Sequence, residues 1–70
     1  MARAVFAGRY FAVEADDGEF WAIRRYDHYL TAEEAKGKIS GEYETVAYAV
    51  SKESAKVAIV DLIEQENLTP

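Results

Sequence analysis

The stretch from residue 9 to residue 26 constrains this chain most. Two runs, 9–15 and 19–26, alternate their side chains, are rich in aromatic and β-branched residues, and meet at Asp16-Asp17-Gly18. That pattern describes two antiparallel strands joined by a tight turn, since Asp and Gly suit turns and alternation suits a sheet. Two registers are open. A two-residue Asp17-Gly18 turn pairs Val13 with Ala22 and Phe11 with Arg24, whereas a three-residue loop with Gly18 left-handed pairs Val13 with Trp21 and Phe11 with Ile23. The second gathers Phe11, Val13, Trp21 and Ile23 on one side. Register follows the buried pattern, so this is the expected one. The reverse face then carries Tyr10, Ala12, Glu14, Phe20, Ala22, Arg24 and Tyr26. A solvated sheet face is usually polar, so this half-aromatic one implies a second covering layer or a contact surface.

Downstream, Thr31 and Glu34 form the Thr-x-x-Glu pattern of a capping box ahead of Ala35 and Lys36. A short helix over about 32–38 is expected, weakened by Gly37 and followed by a turn at Ser40-Gly41. The alternative is a second strand running on to Leu30, with an irregular excursion after it. Residues 43–50 alternate again and read as a third strand. Val46, Tyr48 and Val50 are expected to face a helix, and Tyr43, Thr45, Ala47 and Ala49 to share the face of Tyr10 and Phe20. Ser51 is a good N-cap for a helix running to about Glu66. At ~100° per residue, Ala55, Ala58, Ile59, Leu62 and Ile63 fall in one stripe toward the sheet, with Val57 and Val60 on its flank. Residues 1–8 could extend the first strand or add a short edge strand through Val5 and Phe6. The expected fold is α+β: a three-stranded antiparallel sheet, β-β-(short α)-β-α, with one long C-terminal helix packed on one face.

A chain of 70 residues makes one domain, residues 1–70. It buries only roughly 60% of the surface its unfolded form exposes. Twelve alanines fill little volume, so nine aromatics must supply much of the core. Cysteine is absent, which removes disulfides, thiolate metal sites and thiol nucleophiles. Small folds without such staples often gain stability by self-association, so a homodimer is one expectation. Acids outnumber bases 13 to 8 for a net charge of −5. Affinity for nucleic acid and for anionic membrane rests on Lys and Arg, so neither is expected as a direct partner. No stretch is apolar for long enough to span a bilayer or to serve as a signal peptide, and the expected location is cytoplasmic.

The acids are unevenly placed. Glu14, Asp16, Asp17 and Glu19 crowd six residues, and Asp61, Glu64 and Glu66 load the last turns of the long helix while Lys52 and Lys56 occupy its start. The helix dipole favours the opposite order by roughly 0.3–1 kcal/mol per exposed charge at low salt. Charges set against local preference point to an outside, basic partner. The expected contact set is Glu14, Asp16, Asp17 and Glu19, with Tyr10, Phe20 and Tyr26 as aromatic anchors. Carboxylate rows can stand in for phosphates, so the sharper expectation is an inhibitor that occupies a basic nucleic-acid-binding surface of a host complex. Small acidic proteins of phages and mobile elements, of the anti-CRISPR or anti-restriction type, match in size and charge only. The alternative is a homodimeric regulatory or antitoxin-like accessory domain.

No catalytic residue, cofactor or metal site is expected. The tip lacks the spacing of a calcium loop, and no phosphate loop, dinucleotide glycines, serine elbow or zinc pattern occurs. His28, within Tyr26-Asp27-His28-Tyr29, has no nucleophile at a recognisable spacing and reads as a packing or hydrogen-bonding residue. Arg24 and Arg25 are too few for nucleic acid on this acidic background, and pairing with Glu14 or Glu44 accounts for at least one of them. A hairpin, third strand and packed helix also occur in small domains that read DNA with a sheet, but here Glu14, Glu42 and Glu44 stand where Lys and Arg would be needed.

Overall fold

The structure is a computed structural model that describes residues 4–15 and 18–68. Its elements run β1 (Ala4–Ala7), β2 (Tyr10–Glu14), β3 (Trp21–Tyr26), α1 (Ala32–Lys36), β4 (Tyr43–Ala49) and α2 (Lys52–Leu68). The strands form one antiparallel sheet in the order β1-β2-β3-β4. The fold is therefore α+β with a long C-terminal helix, but the sheet has four strands rather than three. The extra strand exists because Gly8, at φ +60, reverses the chain and pairs Phe6 with Phe11 and Val5 with Ala12.

The β2–β3 register is the alternative one: Val13 pairs with Ala22, Phe11 with Arg24 and Glu14 with Trp21. The tip closes with Gly18 N–H donating to the Ala15 carbonyl and Ala15 N–H to that of Phe20, both at 2.9 Å. Sorting all the large apolar residues to one side misleads here because both faces of these strands are buried. Tyr10, Ala12, Trp21, Ile23 and Ala49 lie under α2 against Ala55 and Ile59. Phe11 and Tyr26 lie on the other face with Leu30, and Val13, Ala35 and Ile39 close around them. A second layer does cover part of that face, and it is made by the segment between β3 and β4.

That segment is held by backbone bonds at both ends. Leu30 N–H donates to the Gly8 carbonyl at 2.9 Å, and Asp27 N–H to that of Glu42 at 3.1 Å. Between them Thr31 and Glu34 form the reciprocal capping box of α1. In β4 an irregularity opposite Ile23 and Arg24 leaves Val46 without a Cα partner, since Ile23 pairs with Ala47 and Arg24 with Thr45. An extra residue shifts the alternation beyond it. Ala47 and Ala49 thus pack on the core beneath α2, and Tyr48 turns to the open face beside Phe20. The expected facing of Tyr48, Ala47 and Ala49 is inverted, Val46 and Tyr43 keep theirs, and Val50 is 82% exposed.

The helix stripe is as read from its spacing: Ala55 and Ile59 are buried, and Ala58, Leu62 and Ile63 pack against the core. The Ser51 hydroxyl accepts the Ser54 N–H at 3.1 Å and caps α2. Alanines at 12, 49 and 55 let the helix approach the sheet closely, so Ile23, fully buried, fills the space between them. Truncating Ile23 to Ala should cost about 2–5 kcal/mol, comparable to the whole stability of so small a domain, while Ile23→Val should cost about 0.5–1.5 kcal/mol. Urea denaturation monitored by Trp21 fluorescence checks this: the valine variant shows a shifted but cooperative transition, and the alanine variant is largely unfolded in buffer.

Candidate interaction surface

The covering segment reaches across β1 and β2 as far as Tyr26 of β3 and stops short of β4. Beyond it the rings of Tyr43 and Tyr48 stay accessible, each packed against a ring of β3 or its approach. Phe20 meets Tyr48 edge-on at 5.3 Å between centroids, and Tyr26 meets Tyr43 at 5.1 Å. The Arg24 guanidinium carbon stands 4.6 Å from the centre of the Tyr43 ring. Tyr48 is 67% and Tyr43 49% exposed. Arg24 Nε is buried with no hydrogen-bond partner, so the guanidinium is held by ring stacking rather than by an acceptor at that atom. Sequence pattern placed Tyr43 with Phe20 on this side but sent Tyr48 toward the helix, because the shift in β4 is invisible to simple alternation.

The expected aromatic anchors do not form one surface. Tyr10 is 2% exposed and lies beneath α2, and Tyr26 is 6% exposed beneath the covering segment. Neither ring is presented outward; Phe20 alone of the three borders the open patch. Of the four tip acids, Asp16 and Asp17 lie outside the described residues. Glu19 is exposed next to Phe20, and Glu14 is half-buried opposite Trp21.

Several other acids are matched internally. Glu66 accepts from Arg9 Nη2 and from the Tyr10 hydroxyl, each at 2.5 Å. Those two bonds hold its carboxyl below the usual range, Tyr10 first and Arg9 second. Burial, then the bond to Glu66, pushes the Tyr10 phenol up. An acid in the last turn of α2 therefore docks the helix onto the start of β2, and does not wait for a partner. Arg25 pairs with Glu44, as expected for one arginine of the pair.

His28 joins the covering segment to the sheet. Its Nδ1 lies 2.7 Å from Asp27 Oδ1 and its Nε2 2.8 Å from Glu34 Oε2. Two carboxylate acceptors let both ring nitrogens donate only when the imidazole is protonated. The bonds to Asp27 and then Glu34 raise the His28 pKa above its ordinary 6.5, and His28 in turn lowers both carboxyls. The other Asp27 oxygen accepts the Glu42 N–H at 3.2 Å, so this latch also grips the start of β4. Among the described residues no group of three or more His, Cys, Asp or Glu side chains is arranged to hold a metal ion. No helix among them is long and apolar enough to cross a membrane.

No family model, curated protein or solved structure matches this chain. The surface must speak through its own chemistry.

The latch has a definite pH signature. Because the folded His28 pKa is raised, its contribution is complete below 6.5 and is lost as pH rises through the folded value. Asp27 and Glu34 act oppositely: their contribution is present above the ordinary carboxylate range and is lost as pH falls through their lowered values. An NMR titration of the His28 ring should give a midpoint above 6.5, and His28→Gln should flatten the loss of stability as pH rises above 6.5. Gly41 provides a second probe. It sits at φ +104, and a Cβ there would stand 2.6 Å from Asp27 Oδ1 and 3.2 Å from His28 Cε1. Gly18, at φ +72, would meet nothing within 4 Å. Gly18→Ala should then cost about 1–2 kcal/mol for its left-handed backbone alone. Gly41→Ala should cost distinctly more in the same urea titration and should displace the His28 midpoint.

Proposed function

We propose that this chain is a small acidic protein-binding module whose partner surface is basic. The observation that carries the reading is the pair of exposed tyrosines, Tyr43 and Tyr48, on the uncovered part of the sheet, with half-buried Phe20 edge-on to Tyr48. Large aromatic side chains gathered in one patch are typical binding anchors, and a negative surround steers a positive partner and speeds encounter. Phe20 and Tyr48 sit at the end of the sheet nearest the tip where Glu19, Asp16 and Asp17 cluster in sequence. In its sharper form the module is an inhibitor that occupies the nucleic-acid-binding surface of a host complex, with carboxylates standing in for phosphates.

A second reading is a homodimeric regulatory domain. The free outer edge of β4 favours it, since that strand ends the sheet and leaves a row of backbone groups unpaired. Sedimentation at high micromolar concentration separates the two: a strict monomer rejects the dimer, and a tight dimer sensitive to β4 substitution withdraws this surface from a foreign partner.

The binding reading is tested by affinity capture from a host lysate with three baits. Wild type should retain a basic partner that is released by salt. Phe20→Ser with Tyr48→Ser should weaken capture by more than about tenfold, the scale of a lost hot spot. Replacing Glu14, Asp16, Asp17 and Glu19 by Ser should reduce the salt-sensitive part. Equal capture of every retained protein by all three baits removes both the rings and the tip from the account.

A further inference from the structure

We propose that the solvent side of α2 is a second docking strip, shaped for a basic amphipathic helix of a partner protein. It lies across the molecule from the open sheet face and does not depend on the function assigned to that face.

The inference starts from which residues point away from the core. With Ala55 and Ile59 buried against the sheet, the residues facing outward include Glu53, Val57, Val60, Asp61, Glu64 and Leu68. At ~100° per residue, all six fall within roughly 60° of Val57 on the helix wheel. Three of them are apolar and open to solvent: Val57 is 60%, Val60 51% and Leu68 83% exposed. Breadth of the core-facing stripe does not explain the valines, because the sheet does not cover them. The shallow, open surface beside them is formed by Glu53, Ser54, Val57, Ala58 and Asp61 of the same helix.

The charges on the strip select the occupant. Glu66 is taken up by Arg9 and Tyr10, and among the described residues Glu53 has only a distant Lys56 at 3.9 Å. Among the described residues, Asp61 and Glu64 have no ion pair. Both stand in the half of the helix where the dipole already carries negative character, so local structure gives no reason for them. Apolar side chains spaced along a helix and flanked by carboxylates complement a helix with an apolar stripe flanked by lysines or arginines, packed side by side as two helices pack. A second copy of this chain fits poorly. In the antiparallel packing that sets Val57 of one copy against Val60 of the other, Glu53 meets Glu64 across the interface, and like charges there are unfavourable.

The test uses a synthetic helical peptide with leucines at i, i+3, i+4 and i+7 and lysines flanking them. Its control is a peptide of the same composition scrambled to destroy the stripe. Each is titrated into the ¹⁵N-labelled full chain. The striped peptide should shift the amides of residues 53–68 and leave those of β4 unmoved, and the scrambled one should bind at least tenfold more weakly. Val57→Ser with Val60→Ser, at positions that support no core, should weaken the striped peptide at least tenfold. Asp61→Asn with Glu64→Gln should weaken it and reduce its salt dependence. Equal binding of both peptides, shifts centred on Tyr48, or an affinity indifferent to the valines would overturn the proposal. So would a concentration-dependent dimer dissolved by Val60→Lys.

Discussion

A four-stranded sheet has two faces, and this chain carries only enough other structure to cover about one and a half of them. Helix α2 covers one face from end to end, through Ala55, Ile59 and their neighbours. The other is covered by a five-residue helix and its flanks, which contribute Leu30, Ala35 and Ile39 and then run out before β4. Everything distinctive about the molecule follows from that shortfall. Small residues at the α2 interface keep that layer thin, the covering segment must be latched at several points, and a row of rings is left over on the uncovered side.

What pattern could reveal, and what it could not, divides along the same line. The stripe Ala55–Ile59–Leu62–Ile63 and the Thr31–Glu34 box were legible because each depends on neighbours three or four residues apart in one element. The hairpin register was not. Its usual warrant is that one face is buried, and here Trp21 and Ile23 go under α2 while Phe11 and Val13 go beneath the cover. With apolar residues wanted on both sides, alternation alone cannot choose. The extra residue in β4 was equally invisible, because Val46 suits a regular strand and the reason for its displacement lies across the ladder at Ile23 and Arg24.

The candidate surface was half legible for the same reason. Phe20 and Tyr26 share the face away from α2 in either register, but the covering segment closes over Tyr26, and Tyr10 was placed beside them by a register the fold does not use. Tyr43 and Tyr48 needed the irregular step in β4 to meet on one side. The acids divide too. Glu66 looked misplaced on its helix until Arg9 and Tyr10 arrived from the opposite end of the chain, 57 and 56 residues away. Proximity across such a separation leaves no mark in local sequence. Among the described residues, Asp61 and Glu64 received no such visitor.

The step in β4 has one more effect. A flat, regular outer strand offers its backbone as a template on which further chains can add without limit. An extra residue in mid-strand bends and overtwists that border. Strands that end at Ala49 on one side and Tyr43 on the other are thereby poor seeds for fibrils, even with tyrosines alongside. The kink that exposes the rings thus also protects the molecule from the hazard of exposing them.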